Sequence, residues 1–92
     1  MNGATVAFTK GPWLAGVQYD DEFGCPVVAK SRGEVAEAKG SSEEECAANA
    51  RLIAAAPLMY ATLSDVYSIA KREGLESVAQ TIREVLLAAE AG

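Results

Sequence analysis

The sequence predicts an α+β fold, with an N-terminal antiparallel β-hairpin or three-stranded meander packed on two to three C-terminal helices. Two observations predict it. Six of the eight glycines and two of the three prolines fall within residues 1–40, between short bursts of β-branched and aromatic residues. Short runs broken by turn residues are strand signals. Residues 41–90 read differently: apolar residues recur at spacings of three and four, interrupted only at Pro57 and Gly74, as in amphipathic helices.

The bursts at residues 5–8, 13–19 and 26–29 are the candidate strands. Asp20, Asp21, Glu22 and Phe23 fit a hairpin tip, with Gly24 expected to supply a positive φ. Residues 33–40, bounded by Gly33 and Gly40, resemble a linker. Ser42 followed by Glu45 forms a capping box, and Glu43, Glu44 and Glu45 load the first turn with the charge a helix dipole favours. The helix that follows should carry Leu52, Ile53 and Ala56 on one face and end or kink at Pro57, which opens a second helix as its first residue. Gly74 is placed to stop that helix. In the third, Leu75, Val78, Ala79, Ile82, Leu86 and Ala89 share a face, with Glu76, Gln80, Arg83, Glu84 and Glu90 opposite. No boundary or repeat interrupts the chain, so residues 1–92 are expected to be one domain, β-rich over 1–40 and helical over 41–92.

Size and composition bound the function. With 92 residues and a mass of 9.6 kDa, the chain buries roughly 60–65% of its unfolded surface. Half of the residues are hydrophobic, but 18 are alanine and only 7% are Phe, Trp or Tyr, so the core is thin. The net charge of −5, from 8 basic against 13 acidic residues, argues against a bulk electrostatic contact with nucleic acid. Histidine is absent, removing the commonest general base and metal ligand. There is no apolar run near membrane-spanning length, so a soluble, cytoplasmic protein is expected. Cys25 and Cys46 are far apart and in no C-x-x-C arrangement. They read as two buried or half-buried thiols in preference to the alternative, a single disulfide, with no zinc site and no cofactor.

Several chemical patterns have plainer explanations. Ser68 and Lys71 match the S-x-x-K pattern of acyl-enzymes, but the partner motifs and oxyanion hole of that mechanism have no place in so short a chain. Asp20, Asp21 and Glu22 suit a polar loop tip better than a cation site. The chain is not expected to be an enzyme. Two local patterns are left: Gly11-Pro12-Trp13, which holds the only tryptophan, and the stretch from Ala48 to Pro57. Trp13 fits a core anchor laid across an alanine-rich helix, and Arg51 a surface ion pair; either also fits a ligand contact.

Together, Gly-Pro-Trp at 11–13, a short hairpin, the acidic capped stretch at 41–45 and Ala-Asn-Ala-Arg-Leu-Ile-Ala-Ala-Ala-Pro at 48–57 resemble a widespread group of small phage and prophage proteins. The resemblance covers about residues 9–63. Members typically continue Pro-Glu-Leu-Leu-Glu-Ala-Leu, where this chain has Pro57-Leu58-Met59-Tyr60-Ala61-Thr62-Leu63. Two solvated glutamates are thus replaced by Leu58 and Ala61, and the helix becomes apolar almost all round. A chain this small cannot cover two faces of one helix, so a homo-oligomer is expected. Lys10 stands where the group often has proline.

The resemblance implies a phage accessory protein acting in the host cytoplasm, a setting in which counter-defence is prominent. One expectation is a non-catalytic protein that sequesters a small nucleotide-derived signalling molecule at a subunit interface. Trp13 or Tyr60 would stack on the base, Asn49 and Arg51 would hold base and phosphate, and Arg32 or Arg72 would close the rim. The alternative is an inhibitor resembling anti-CRISPR proteins, which binds a host defence protein through Asp20, Asp21, Glu22, Glu43, Glu44 and Glu45. Neither involves direct nucleic-acid or membrane contact.

Overall fold

The computed structural model describes residues 7–16 and 24–90, and within them the chain has the α+β arrangement that the sequence predicts. In order it runs β1 (Trp13–Ala15), β2 (Gly24–Ala29), β3 (Gly33–Lys39), α1 (Glu43–Ala54), α2 (Ala56–Arg72) and α3 (Glu76–Glu90). It divides into two compact units. Residues 9–58 hold the sheet and α1; residues 59–92, with 1–8, hold α3 and nearly all of α2. The first helix therefore belongs with the strands rather than with the helices that follow it.

In the sheet unit the three strands form one antiparallel sheet in sequence order. Trp13 lies opposite Ala29, Ala15 opposite Val27, and Cys25 opposite Ala38. The third strand is not the expected one. Residues 33–39, which read as a linker, form β3; Ala7 and Phe8 are not strand, and residues 5–6 of that candidate lie outside the described residues. Alanine has little intrinsic liking for strands, which hides the alternation in Glu37-Ala38-Lys39. Ala38 is buried, while Glu37 and Lys39 stay exposed and pair at 3.4 Å. Charges of this kind suit an edge strand. The register shifts between Val27, opposite Ala36, and Val28, opposite Glu34, leaving Val35 as the extra residue of a bulge.

The expected hairpin tip is also corrected. Residues 20–23 lie outside the described residues, and Gly24 opens β2 without a positive φ. The left-handed residue of the sheet is Gly33, at φ +100°. It closes the turn between β2 and β3, in which the Arg32 amide donates to the Ala29 carbonyl at 3.1 Å. A side chain at that φ would be strained.

The core of this unit is Cys25, Val27 and Ala38 from the sheet against Cys46 and Ala50 from α1. Cys46, Ala50 and Ile53 follow one another at helical spacing, and Ile53 packs against the cluster. Leu52 lies about 200° around the helix from Ala50 and is 63% exposed, so it does not share the packed face with Ile53 as expected. The helix starts as the capping box predicts, with the Glu45 amide donating to Ser42 Oγ at 3.1 Å. The return arm differs: the Glu45 carboxylate accepts from the backbone and hydroxyl of Ser41. The α1 helix ends at Ala54, and α2 begins at Ala56, so Pro57 is the second residue of α2 rather than its first.

The second unit is an antiparallel helix pair. Tyr60, near the start of α2, donates to Glu90 at the end of α3. Lys71, near the end of α2, pairs with Glu76 at the start of α3 at 3.1 Å. Gly74, at φ +76°, stops α2 as expected. The Leu75 amide donates back to the Ala70 carbonyl at 2.9 Å, the six-to-one bond of a Schellman cap. Ala70, Ala79, Ile82 and Leu86 are buried. Of the apolar face expected on α3, Leu75 and Val78 remain about half exposed, as do Met59, Ile69, Val85 and Leu87. Among the described residues no single helix is long and apolar enough to cross a membrane.

Candidate ligand-binding groove

Trp13 is half-buried, and the fold explains how. Its register partner is Ala29, whose own partner on the far side is Gly33, so small residues leave room for the indole. The ring flanks the core of the sheet unit, and its Nε1–H donates to the Thr9 carbonyl at 3.1 Å. The glycine two residues before it has a steric role. A Cβ on Gly11 would stand 2.7 Å from Pro57 Cβ, so only glycine lets this segment pass so close to the proline. Gly-Pro-Trp and the proline that ends the alanine-rich motif are thus in contact.

Residues next to that contact line an open groove of about 340 Å³. One wall is Pro12, Trp13, Leu14 and Ala15; the other is Arg51, Ala54, Ala55 and Leu58. The second wall follows from helical spacing, since Arg51, Ala54 or Ala55, and Leu58 recur every three or four residues. The surface is apolar apart from the guanidinium. Among the described residues, Arg51 has no hydrogen-bond or ion-pair partner for its side chain. It stands in the last turn of α1, where the helix dipole favours a cation.

The structure brings Trp13 and Arg51 together and gives the other four candidates different surroundings. Asn49 donates its side-chain amide to the Lys39 carbonyl at 2.7 Å. Arg32 donates to the Glu34 carbonyl at 2.9 Å, across the turn into β3. Tyr60 and Arg72 belong to the helix pair. Tyr60 also meets Phe8 edge-on, with ring centroids 5.0 Å apart. Its hydrogen bond to Glu90, with burial, pushes the phenol above its usual range. Arg72 lies 3.9 Å from Glu73. Sequence reasoning missed Pro12, Leu14, Ala15, Ala54, Ala55 and Leu58 as groove residues. The spacing from Arg51 was a usable signal for the last three.

Other features carry less. A polar crevice of about 60 Å³ between α2 and α3 has room for about two waters, and its Lys71 and Glu76 already pair. Ser68 donates to the Ser64 carbonyl and Lys71 to Glu76, so the S-x-x-K residues bond locally. Among the described residues no three His, Cys, Asp or Glu side chains could hold a metal ion. Glu43, Glu44 and Glu45 are exposed in the first turn of α1. The backbone and hydroxyl of Ser41 hold the Glu45 carboxyl below its usual range.

A family model described as Salmonella phage P22 protein Y8K6 matches residues 1–91. No curated protein and no solved structure matches the chain.

Proposed function

The chain belongs to the family of Salmonella phage P22 protein Y8K6, and on that premise we propose that it is a non-catalytic counter-defence protein that sequesters a nucleotide-derived host signal. The observation that carries this reading is the groove lined by both Trp13 and Arg51, whose guanidinium has no partner among the described residues. An aromatic ring and a guanidinium on one apolar groove suit a flat ring bearing an anionic phosphate. The protein supplies no acid–base pair there, so the chemistry is capture rather than turnover.

At about 340 Å³ the groove is near the lower limit for a small-molecule site, and it is open to one side. A second copy of the chain closes it in this reading. Leu14 and Leu58, each more than 60% exposed, line the groove and supply the apolar contact.

The test is calorimetric titration of the protein with a panel of mononucleotides and cyclic di- and trinucleotides. At least one should bind, and Arg51→Ala should weaken it by roughly ten- to a hundredfold, the equivalent of about 1.5–3 kcal/mol for a charge-assisted contact. Melting should be nearly unchanged. If no nucleotide binds the wild type, the reading fails. The exposed Glu43–Glu45 turn favours a second reading, an inhibitor that docks on a basic host protein. In that case charge reversal of all three would abolish inhibition while Arg51→Ala left it intact.

A further inference from the structure

Cys25 on β2 and Cys46 on α1 meet in the core of the sheet unit, with their sulfurs 3.1 Å apart. Both are in thiol form and are at most 2% exposed. Their surroundings are Val27, Ala38 and Ala50. The Cys46 thiol also donates to the Ala38 carbonyl at 3.3 Å, which aims it at the strand that neighbours Cys25. The mainly structural explanation is a small polarizable pair filling a thin core. Two features go beyond that. Alanine would fill an alanine-rich interface as well, and the two side chains converge from different elements to within about 1 Å of a covalent sulfur–sulfur length.

We propose that Cys25 and Cys46 are a reversible cross-linking site, closing to an intrachain disulfide with a low-molecular-weight disulfide such as oxidised glutathione. One thiol loses its proton to solvent during an opening of α1, and its thiolate attacks a glutathione sulfur. The glutathione disulfide breaks, a mixed disulfide forms, and one glutathione thiolate leaves and takes up a proton. The second cysteine, as thiolate, then displaces the other glutathione. Overall, two protein thiols are oxidised and one glutathione disulfide is reduced to two thiols. The bond staples α1 to β2, and with it the Arg51 wall of the groove to the sheet. Burial pushes the Cys46 thiol up to about 11, with the Cys25 contact adding to the effect. Closure is therefore slow at neutral pH and faster in alkali.

The experiment equilibrates the full-length protein in buffers of graded reduced-to-oxidised glutathione ratio, with and without denaturant. Acid quenching and intact mass then give the disulfide fraction. In the native protein the disulfide should form at a ratio at least about tenfold more reducing than in the unfolded chain, and it should appear as a mass lower by two hydrogens. The oxidised protein should melt about 5–15 °C higher, and dithiothreitol should reverse both changes. An equal or lower preference in the native state would overturn the proposal, as would disulfide-linked dimers or bound glutathione as the end product. Cys46→Ser should lose only the two-hydrogen product. Should that variant fail to fold, the wild-type equilibrium alone decides.

Discussion

Asn49 gives its side-chain amide to the carbonyl of Lys39 at 2.7 Å, tying the middle of α1 to the last residue of β3. The residue expected to read a base clasps the helix to the sheet edge. Asn49→Ala should therefore lower stability by about 0.5–1.5 kcal/mol, the usual net worth of one such bond. It should leave binding in the Trp13–Arg51 groove intact. Urea denaturation alongside titration separates the two effects.

The start of α1 gives a second prediction. Ser42→Ala removes the bond to the Glu45 amide and should cost about 0.5–2 kcal/mol. Glu45 adds an acid dependence. Its folded pKa lies below the ordinary 4.5 because the charged form accepts from Ser41. That stabilisation is present above pH 4.5 and is lost as pH falls through the lower, folded value. Acid titration of wild type against Glu45→Gln, followed by circular dichroism, should show a shallower acid transition in the variant.

Alkali acts through two groups of opposite placement. The Cys46 thiol rises from 9.0 to about 11 on folding, so its neutral form is favoured by the native state. Stability is full below pH 9 and declines as pH rises towards 11. The Tyr60 phenol is also raised, through its bond to Glu90, and adds to the decline above pH 10. Cys46→Ala should flatten the first part of the melting-temperature profile and Tyr60→Phe only the second.

Leucines at two positions should behave in opposite ways. Leu86 is fully buried in the helical unit, and Leu86→Ala should cost about 2–5 kcal/mol. Leu58 is 71% exposed, and Leu58→Glu should leave monomer stability within about 0.5 kcal/mol. If a second copy closes the groove, the same change should shift light scattering at micromolar concentration towards single chains.

Legibility in the sequence tracked how local the signal was. The Ser42 cap and the Gly74 stop rest on residues within one helical turn, and both are found where they were expected. β3 is hidden because its one buried position is Ala38, whose strand character comes from packing under α1 and not from propensity. Leu52 falls off the packed face because an alanine-rich helix leaves that face ambiguous; the contact of Cys46 with Cys25 on the sheet selects the stripe through Cys46 and Ala50. The groove was half legible. Trp13 and Arg51 stand out by type, but their place on one groove is a tertiary relation with no periodicity to announce it.

The chain carries a single indole, and the fold sets it in one wall of the groove, with a guanidinium in the other. Light emitted by this protein on excitation at the red edge of its absorbance therefore comes from one place. A ring stacked on Trp13 would quench that emission, and a second copy closing over it would move the maximum to shorter wavelength by removing water. The two events carry different spectral signs, so an unlabelled sample in a cuvette distinguishes a filled groove from a covered one.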